Sequence, residues 1–228
     1  MLDHASRGHH ESGGIVHDGT KGLRSGQRQF HRVGPVRPGH ISQVFDGVHL
    51  GDASGAALAF ALVAAAQLSN PSLDTTLTPL TGDGRPLSEW LTTFHLATVV
   101  LDPYTNESSW ILETAARVLR HFNGASVRVN FLIACGADDA RTFLGPLAEE
   151  FLVFCDPDRV FIKQLGLTEL PAFVLVQMDG SVAASAQGWS AESWRSVTST
   201  IAELTSWSKP PIPAPGDPGT FRGTPAVG

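Results

Sequence analysis

The sequence has too few cysteines, too short an apolar run and too little positive charge for several classes of protein. Two cysteines in 228 residues exclude a disulfide-rich scaffold, and their spacing does not fit a zinc finger. The densest apolar run, 56–66, is shorter than the about 20 residues that a transmembrane helix needs. A net charge of −6 excludes nucleic-acid binding through bulk positive charge. Glycine-rich loops of the Walker or dinucleotide type are also missing from the sequence.

The composition that remains is that of a globular chain. Apolar residues make up 42% and charged residues 17%, which is enough to bury a core. A typical domain takes about 100–200 residues, so the length predicts one folded domain with extensions.

The first 50 residues differ from the rest. They are rich in glycine and show no sustained apolar period, which predicts a disordered His/Gly-rich arm over 1–52. Histidine-rich tracts bind divalent metals, so metal handling is one alternative. A site needs three or four ligands at fixed geometry, which a flexible arm does not provide, and we therefore expect no metal site. The arm holds seven of the nine histidines: His4, His9, His10, His17, His31, His40 and His49.

Two further segments flank the predicted domain. Residues 53–74 are rich in alanine and are predicted to form a helix and a linker. The final segment, 208–228, contains six prolines, which disfavour both helix and sheet, and is predicted to be a disordered tail.

Between these segments, apolar runs and amphipathic stretches alternate. The run at 95–101 is continuously apolar after its histidine, as in a central strand that is buried on both faces. Parallel strand–helix–strand units, an antiparallel hairpin and a closing helix predict an α/β fold, a three-layer α/β/α sandwich with a mixed central sheet. The predicted strands are 77–80, 95–101, 127–134, 151–154, 172–177 and 182–186, and the main helices are 108–122, 137–150, 157–165 and 191–207.

Two stretches carry a family resemblance. LTGDGRPLSEWL, at 80–91, resembles the hairpin and helix before the central strand in the TlpA and peroxiredoxin-like (AhpC/TSA-like) branch of the thioredoxin-like superfamily. DPDRVFIKQLGLTELPAFVLVQMDGSVAASAQGW, at 156–189, is similar to the later part of the same branch, in which a turn, a short helix, a proline and a hairpin follow one another. The resemblance spans residues 75–207 and implies a thioredoxin-like domain there.

The resemblance also implies a peptide-binding edge. It implies that the Leu170-Pro171 bond is cis and faces the redox site, and that the backbone beside this proline pairs with an extended peptide by strand addition.

The family's reactive cysteines are missing from this chain. In thioredoxin-like enzymes the central strand leads into a Cys-x-x-Cys motif, where a helix N-terminus favours the thiolate. Here residues 102–110 read DPYTNESSW and contain no cysteine. Glu107 and Trp110 also stand where the peroxiredoxin pattern Pro-x-x-x-Thr/Ser-x-x-Cys has its hydroxyl and its cysteine. The predicted degenerate active-site loop comprises Tyr104, Thr105, Asn106, Glu107, Ser108 and Ser109.

Serine hydrolysis in this loop is a poor alternative. Ser108 or Ser109 would need a base within hydrogen-bond reach. His121, at the far end of the same predicted helix, lies about 18 Å away at 1.5 Å per residue. Helix capping is the expected role of these serines.

The two cysteines lie elsewhere, each directly after a predicted strand. Cys135 and Cys155 therefore form a candidate relocated redox pair, because ligands bind at the carboxyl ends of strands in open α/β sheets. Free cysteines more often behave as small buried hydrophobes. Nearby Asp138, Asp139 and Asp156 are expected to raise the thiol pKa and to oppose thiolate formation.

Two functions follow as hypotheses. The first is a protein-binding module without dithiol activity at the usual site, with a protein partner or a client peptide. The alternative is a thiol oxidoreductase, peroxidase or redox sensor that uses Cys135 and Cys155. We expect no cofactor, no nucleic-acid partner and no membrane span. Because no apolar stretch of a secretory signal follows the start, we expect a cytoplasmic protein.

Overall fold

A computed structural model describes residues 68–227 of the chain. The predicted arm over 1–52 and most of the Ala-rich segment lie outside the described residues. Among the residues that are described, no helix is both long and apolar enough to cross a membrane.

A seven-stranded mixed sheet forms the centre of the domain. Its strand order is β2-β1-β5-β4-β3-β7-β8, in which β3, β4 and β5 are parallel while β1 and β7 run antiparallel to their neighbours β5 and β3. A separate two-stranded sheet joins β6 to β9. The strands are β1 Thr76–Pro79, β2 Arg85–Pro86, β3 His95–Leu101, β4 Val127–Ile133, β5 Leu152–Cys155, β6 Glu169–Leu170, β7 Ala172–Val176, β8 Val182–Gln187 and β9 Thr224–Pro225.

Six helices complete the described part. They are α1 Leu87–Trp90, α2 Asn106–His121, α3 Ala137–Leu144, α4 Leu147–Glu150, α5 Val160–Gln164 and α6 Ala191–Thr205.

Two hydrophobic cores lie on opposite faces of the sheet, which confirms the predicted three-layer sandwich. Along β3, Val99 and Leu101 belong to the core that α2 and α6 cover. Leu96 and Val100 belong to the other core, which contains apolar side chains of α1 and α5. Side chains alternate between faces along a strand, so a strand covered on both sides is apolar throughout.

The predicted helix over 137–150 is two helices in the structure. Helix α3 ends at Leu144, and Gly145 has a φ of +53°. Pro146 cannot donate a backbone hydrogen bond and its ring would clash with the preceding turn, so α4 starts anew at Leu147.

The structure also differs from the prediction of a disordered tail. Residues 208–227 lie along the domain, held by side chains of α2 and α6. The Arg117 guanidinium donates to both oxygens of Asp217, at 2.7 and 2.8 Å, and Arg195 donates to the carbonyl of Ile212. Burial raises the pKa of Asp217, but the donors around it, the Ala214 amide foremost, outweigh burial and hold the pKa below its usual value. The prolines prevent a helix, yet they leave carbonyls and an extended backbone that these side chains bind.

Candidate functional site

The loop between β3 and α2 and the first turn of α2, together residues 102–109, are here called the α2 entry loop. Asp102 follows β3 and is 5% exposed. Its backbone N–H donates to Ser108 Oγ at 2.9 Å, and its carboxylate accepts from the Tyr104 amide at 3.1 Å. The hydroxyl of Thr105 donates to the Asp102 carbonyl at 3.0 Å. The loop is therefore closed by its own side chains.

Two hydroxyls take the spacing of a Cys-x-x-Cys motif in this loop. Thr105 is the N-cap residue of α2, and Ser108 lies three residues later and is fully buried. Thr105 Oγ1 and Ser108 Oγ are 3.0 Å apart. Hydroxyls have no accessible dithiol couple, so this pair fixes the loop but does not exchange disulfides. Asn106 and Ser109 of the first turn of α2 are exposed.

The loop is also tied to α3. The Tyr104 hydroxyl donates to Asp139 Oδ2 at 2.5 Å. This hydrogen bond and burial raise the pKa of Tyr104 to about 12. Tyr104 thus stays a neutral donor across the physiological pH range.

An ion pair between a buried carboxylate and a partly buried guanidinium connects the loop to the segment after β9. Arg159 Nη2 lies 2.6 Å from Asp102 Oδ2, with side chains 23% and 7% exposed. The other Nη donates to the carbonyl of Ala226, also at 2.6 Å. Arg159 adopts a left-handed backbone conformation, with a φ of 56°. One guanidinium therefore holds both the α2 entry loop and the residue after β9.

The edge formed by β6 and Pro171, here called the β6 edge, carries an extended segment of the same chain. The Leu170-Pro171 peptide bond is cis. Strand β9 pairs antiparallel with β6, with Glu169 opposite Pro225 and Leu170 opposite Thr224. Beyond β9, the Ala226 amide donates to the Thr168 carbonyl at 2.8 Å. The predicted peptide-binding edge is thus paired by residues of the segment predicted to be a disordered tail.

Residues 221–226, here called the resident segment, are held at the other end by aromatic residues. Phe221 and Trp189 exchange two backbone hydrogen bonds, at 2.9 and 3.0 Å. The Phe221 ring packs edge-to-face on Trp110 of α2, with centroids 5.5 Å apart. Trp110 is otherwise exposed, so the resident segment covers part of an open aromatic face.

Gly223 makes the closest approach of the resident segment to the β6 edge. A Cβ there would lie 2.8 Å from Glu169 Cβ and 2.8 Å from the Leu170 carbonyl oxygen. Gly188 faces the segment from the domain, and a Cβ on it would lie 2.9 Å from the Gly223 nitrogen. The backbones of the resident segment and the domain therefore come close where the two facing residues, Gly223 and Gly188, both lack a side chain.

The two cysteines lie at the ends of neighbouring strands and are both free. Ile133 of β4 is opposite Cys155 of β5, and Cys135 follows Ile133 by two residues. Burial, followed by the Coulombic effect of Cys155, Asp139 and Asp102, raises the pKa of Cys135 to about 12. Burial also raises the pKa of Cys155. Both thiols are therefore protonated at neutral pH.

An open cleft of about 560 Å³ lies beside Cys155. Two of its polar side chains have partners within the fold: Gln164 Oε1 accepts from the Thr75 hydroxyl, and the Asp156 carboxylate accepts from the Val160 and Ile162 amides. Within residues 68–227 no group of three or more His, Cys, Asp or Glu side chains is placed to hold a metal ion.

Native thiol reactivity is expected to be very low. A rise in the pKa of Cys135 from 9.0 to about 12 lowers its thiolate fraction at pH 7 about a thousandfold. Titration with a disulfide reagent should therefore give slow native modification and rapid modification in urea. Of the single variants Cys135→Ser and Cys155→Ser, the second should react more slowly, because it retains only the buried thiol of Cys135. A fast native reaction at Cys135 would contradict this assignment.

The order of the elements defines a thioredoxin-like fold. A central parallel strand, a long helix, a second parallel strand, an antiparallel hairpin and a closing helix follow one another as the resemblance predicts. The candidate site on this fold has two parts: the α2 entry loop, which carries the hydroxyls of Thr105 and Ser108, and the β6 edge, which is paired with β9.

Several solved structures are similar to this chain. A secreted disulfide oxidoreductase of Mycobacterium tuberculosis is 16% identical, with a TM-score of 0.45 over 58% of this chain and 97% of that one. The bacterioferritin comigratory protein of Xanthomonas campestris is 14% identical, with a TM-score of 0.48 over 63% and 96%. Peroxiredoxin Q of Xanthomonas campestris is 13% identical, with a TM-score of 0.49 over 61% and 95%. No protein-family model and no curated protein sequence matches the chain.

Proposed function

We propose that this chain is a protein-binding module that holds an extended polypeptide segment at the β6 edge and carries out no dithiol exchange at the α2 entry loop. The observation that carries the proposal is the antiparallel pairing of β9 with β6 beside cis Pro171. This pairing supports the proposal that the β6 edge accepts an extended backbone. In strand addition the main-chain hydrogen bonds supply affinity and the flanking contacts supply specificity.

The chemistry of the loop supports a binding role rather than a redox role. Thr105 and Ser108 stand at the dithiol spacing with hydroxyls, and those hydroxyls are engaged with the backbone of Asp102. The α2 entry loop is therefore held by its own hydrogen bonds, and Arg159 links it to the segment that occupies the edge.

The alternative, thiol chemistry at Cys135 and Cys155, has less support. The two residues do lie at neighbouring strand ends. The raised pKa of each thiol opposes formation of the thiolate that would attack a peroxide or a disulfide. In an insulin-reduction assay we therefore expect turnover equal to that of dithiothreitol alone.

Testing the edge requires a chain in which it is open. Gly223→Ala places a Cβ against the backbone of β6, and overpacking of this kind costs about 1–3 kcal/mol. We expect exchange of the Trp189, Phe221 and Ala226 amides to accelerate about 10- to 100-fold. Gly219→Ala is the matched control, because a Cβ at Gly219 meets nothing within 4 Å. Unchanged exchange in Gly223→Ala would contradict the steric assignment.

The binding experiment selects random dodecapeptides on the full Gly223→Ala chain, with the Gly219→Ala chain as counter-selection. The proposal expects peptides enriched on Gly223→Ala that shift the amide resonances of Thr168 and Leu170. If the edge is open by hydrogen exchange and no peptide is enriched, or if enriched peptides bind elsewhere, the proposed function is wrong.

A further inference from the structure

The contacts between the resident segment and the β6 edge restrict which side chains fit at each position of the segment. Its backbone is fixed at both ends, by Trp189 at Phe221 and by Thr168 and Arg159 at Ala226. Between these ends, the Thr224 hydroxyl donates to the Leu170 carbonyl at 3.2 Å. The segment therefore makes the interactions that a bound peptide would make, and its side chains show what the edge accepts.

The position of Gly223 admits no side chain. A Cβ would meet the Leu170 carbonyl carbon at 3.1 Å as well as its oxygen, and backbone atoms of a paired strand do not move aside as a flexible side chain does. Gly188 makes the groove equally narrow from the other side. Any segment in this register must have glycine there.

The position of Ala226 admits only a small apolar side chain. Ala226 is fully buried and belongs to the same core as Leu167, Leu170 and Phe161. A larger side chain would overpack this core, and a charged one would be buried without a partner.

The positions between and around these two residues are open. Arg222, Pro225 and Val227 are exposed. Arg222 does pair with Glu169, but its side chain remains 86% exposed, where an ion pair contributes little. The pattern is therefore an aromatic residue, any residue, glycine, threonine, any residue and alanine.

Resting on the function proposed above, we propose that the resident segment is a built-in competitor of the β6 edge, and that the partner is a protein carrying an exposed extended segment with this aromatic-x-Gly-Thr-x-Ala chemistry. The wild-type chain binds such a partner only by displacing residues 221–226. The partner can bind only while the edge is open. The apparent affinity of the wild-type chain for the partner is therefore the affinity of the open edge multiplied by the fraction of molecules in which the edge is open.

The test uses a fluorescent synthetic peptide of residues 219–228 and full-length chains. It is expected to bind the Gly223→Ala chain at least about tenfold more tightly than the wild type or the Gly219→Ala chain. The Ala226→Asp chain opens the same edge through a different contact, and it serves as a second host in case the first does not fold.

Peptide variants then test the pattern. Peptides with Gly223→Ala or Ala226→Leu are expected to lose about tenfold or more in affinity, whereas the exposed change Val227→Ala should stay within about twofold. Equal binding of all four peptides would overturn the pattern.

The outcomes separate the two proposals. If open hosts bind selected dodecapeptides at Thr168 and Leu170 but not the 219–228 peptide, the resident segment is not a ligand and the inference fails while the proposed function stands. If open hosts bind neither, both fail. Concentration-dependent dimers of the open hosts, with the edge of one copy taking the segment of another, would overturn the assignment to a different protein.

Discussion

Arg159→Ala is expected to lower the free energy of unfolding by about 3 kcal/mol. The change leaves the carboxylate of Asp102 buried without its cation and the carbonyl of Ala226 without its donor. Breaking a buried pair by removing one partner is costly because the remaining charge stays desolvated. Urea unfolding followed by tryptophan fluorescence should show a lower midpoint with an unchanged slope.

Arg141→Ala is the matched control. Arg141 forms an exposed ion pair with Asp138 and an exposed hydrogen bond to the Leu80 carbonyl, and an exposed ion pair contributes about 0–1 kcal/mol. The double variant Asp102→Asn with Arg159→Met removes both charges and should recover part of the loss, since a neutral pair avoids the desolvation penalty. If Arg159→Ala and Arg141→Ala had equal effects, the Asp102–Arg159 pair would not be a major support of the site.

The position of Arg159 gives this prediction a functional side. One guanidinium contacts the α2 entry loop through Asp102 and the resident segment through Ala226. Its loss should therefore also accelerate exchange of the Ala226 amide, which the Arg141→Ala control should not change.

The sheet could be predicted from the sequence because its signals are local. Strand β3 is apolar apart from His95 and Thr98 because both of its faces are covered, and this pattern predicts the central strand with the bounds that the structure has. The start of the last helix also has a local signal: Ser190 is its N-cap, and the hydroxyl of Ser190 accepts from the Ser193 amide. The prediction of one helix over 137–150 is wrong because helix-forming residues lie on both sides of Pro146, and their pattern favours a continuous helix across the break.

The assembled site could not be predicted in the same way, because its contacts join residues far apart in sequence. Arg159 binds residues 102 and 226, and Asp217 binds Arg117. Six prolines indicated correctly that the last segment forms no helix, but a lack of helix is not a lack of order. The Gly223 contact has no signal in the sequence, since only the facing strand makes that glycine necessary.

Replacing Thr105 and Ser108 together by cysteine is expected to give the chain dithiol activity. The two hydroxyl oxygens are 3.0 Å apart at the N-terminus of α2, where the helix dipole favours a thiolate. The pair would reduce an insulin disulfide and itself become a disulfide, with two electrons and two protons passing to insulin, and dithiothreitol would then reduce it again. Insulin turbidity should develop about tenfold faster or more than with the wild type.

Two controls show whether geometry or mere thiol content is responsible. Thr105→Cys alone has one thiol in the loop and cannot close an intramolecular disulfide there. Thr105→Cys with Ser109→Cys has two thiols, but Ser109 is exposed and its hydroxyl faces the Thr105 carbonyl at 3.5 Å rather than the Thr105 side chain. Activity only in the 105/108 pair would show that the fold retains the geometry of a dithiol site and that missing sulfur alone makes this loop inert. Equal activity in both double variants would instead indicate unspecific thiol exchange, and the α2 entry loop would then have no special place in the chemistry of this fold.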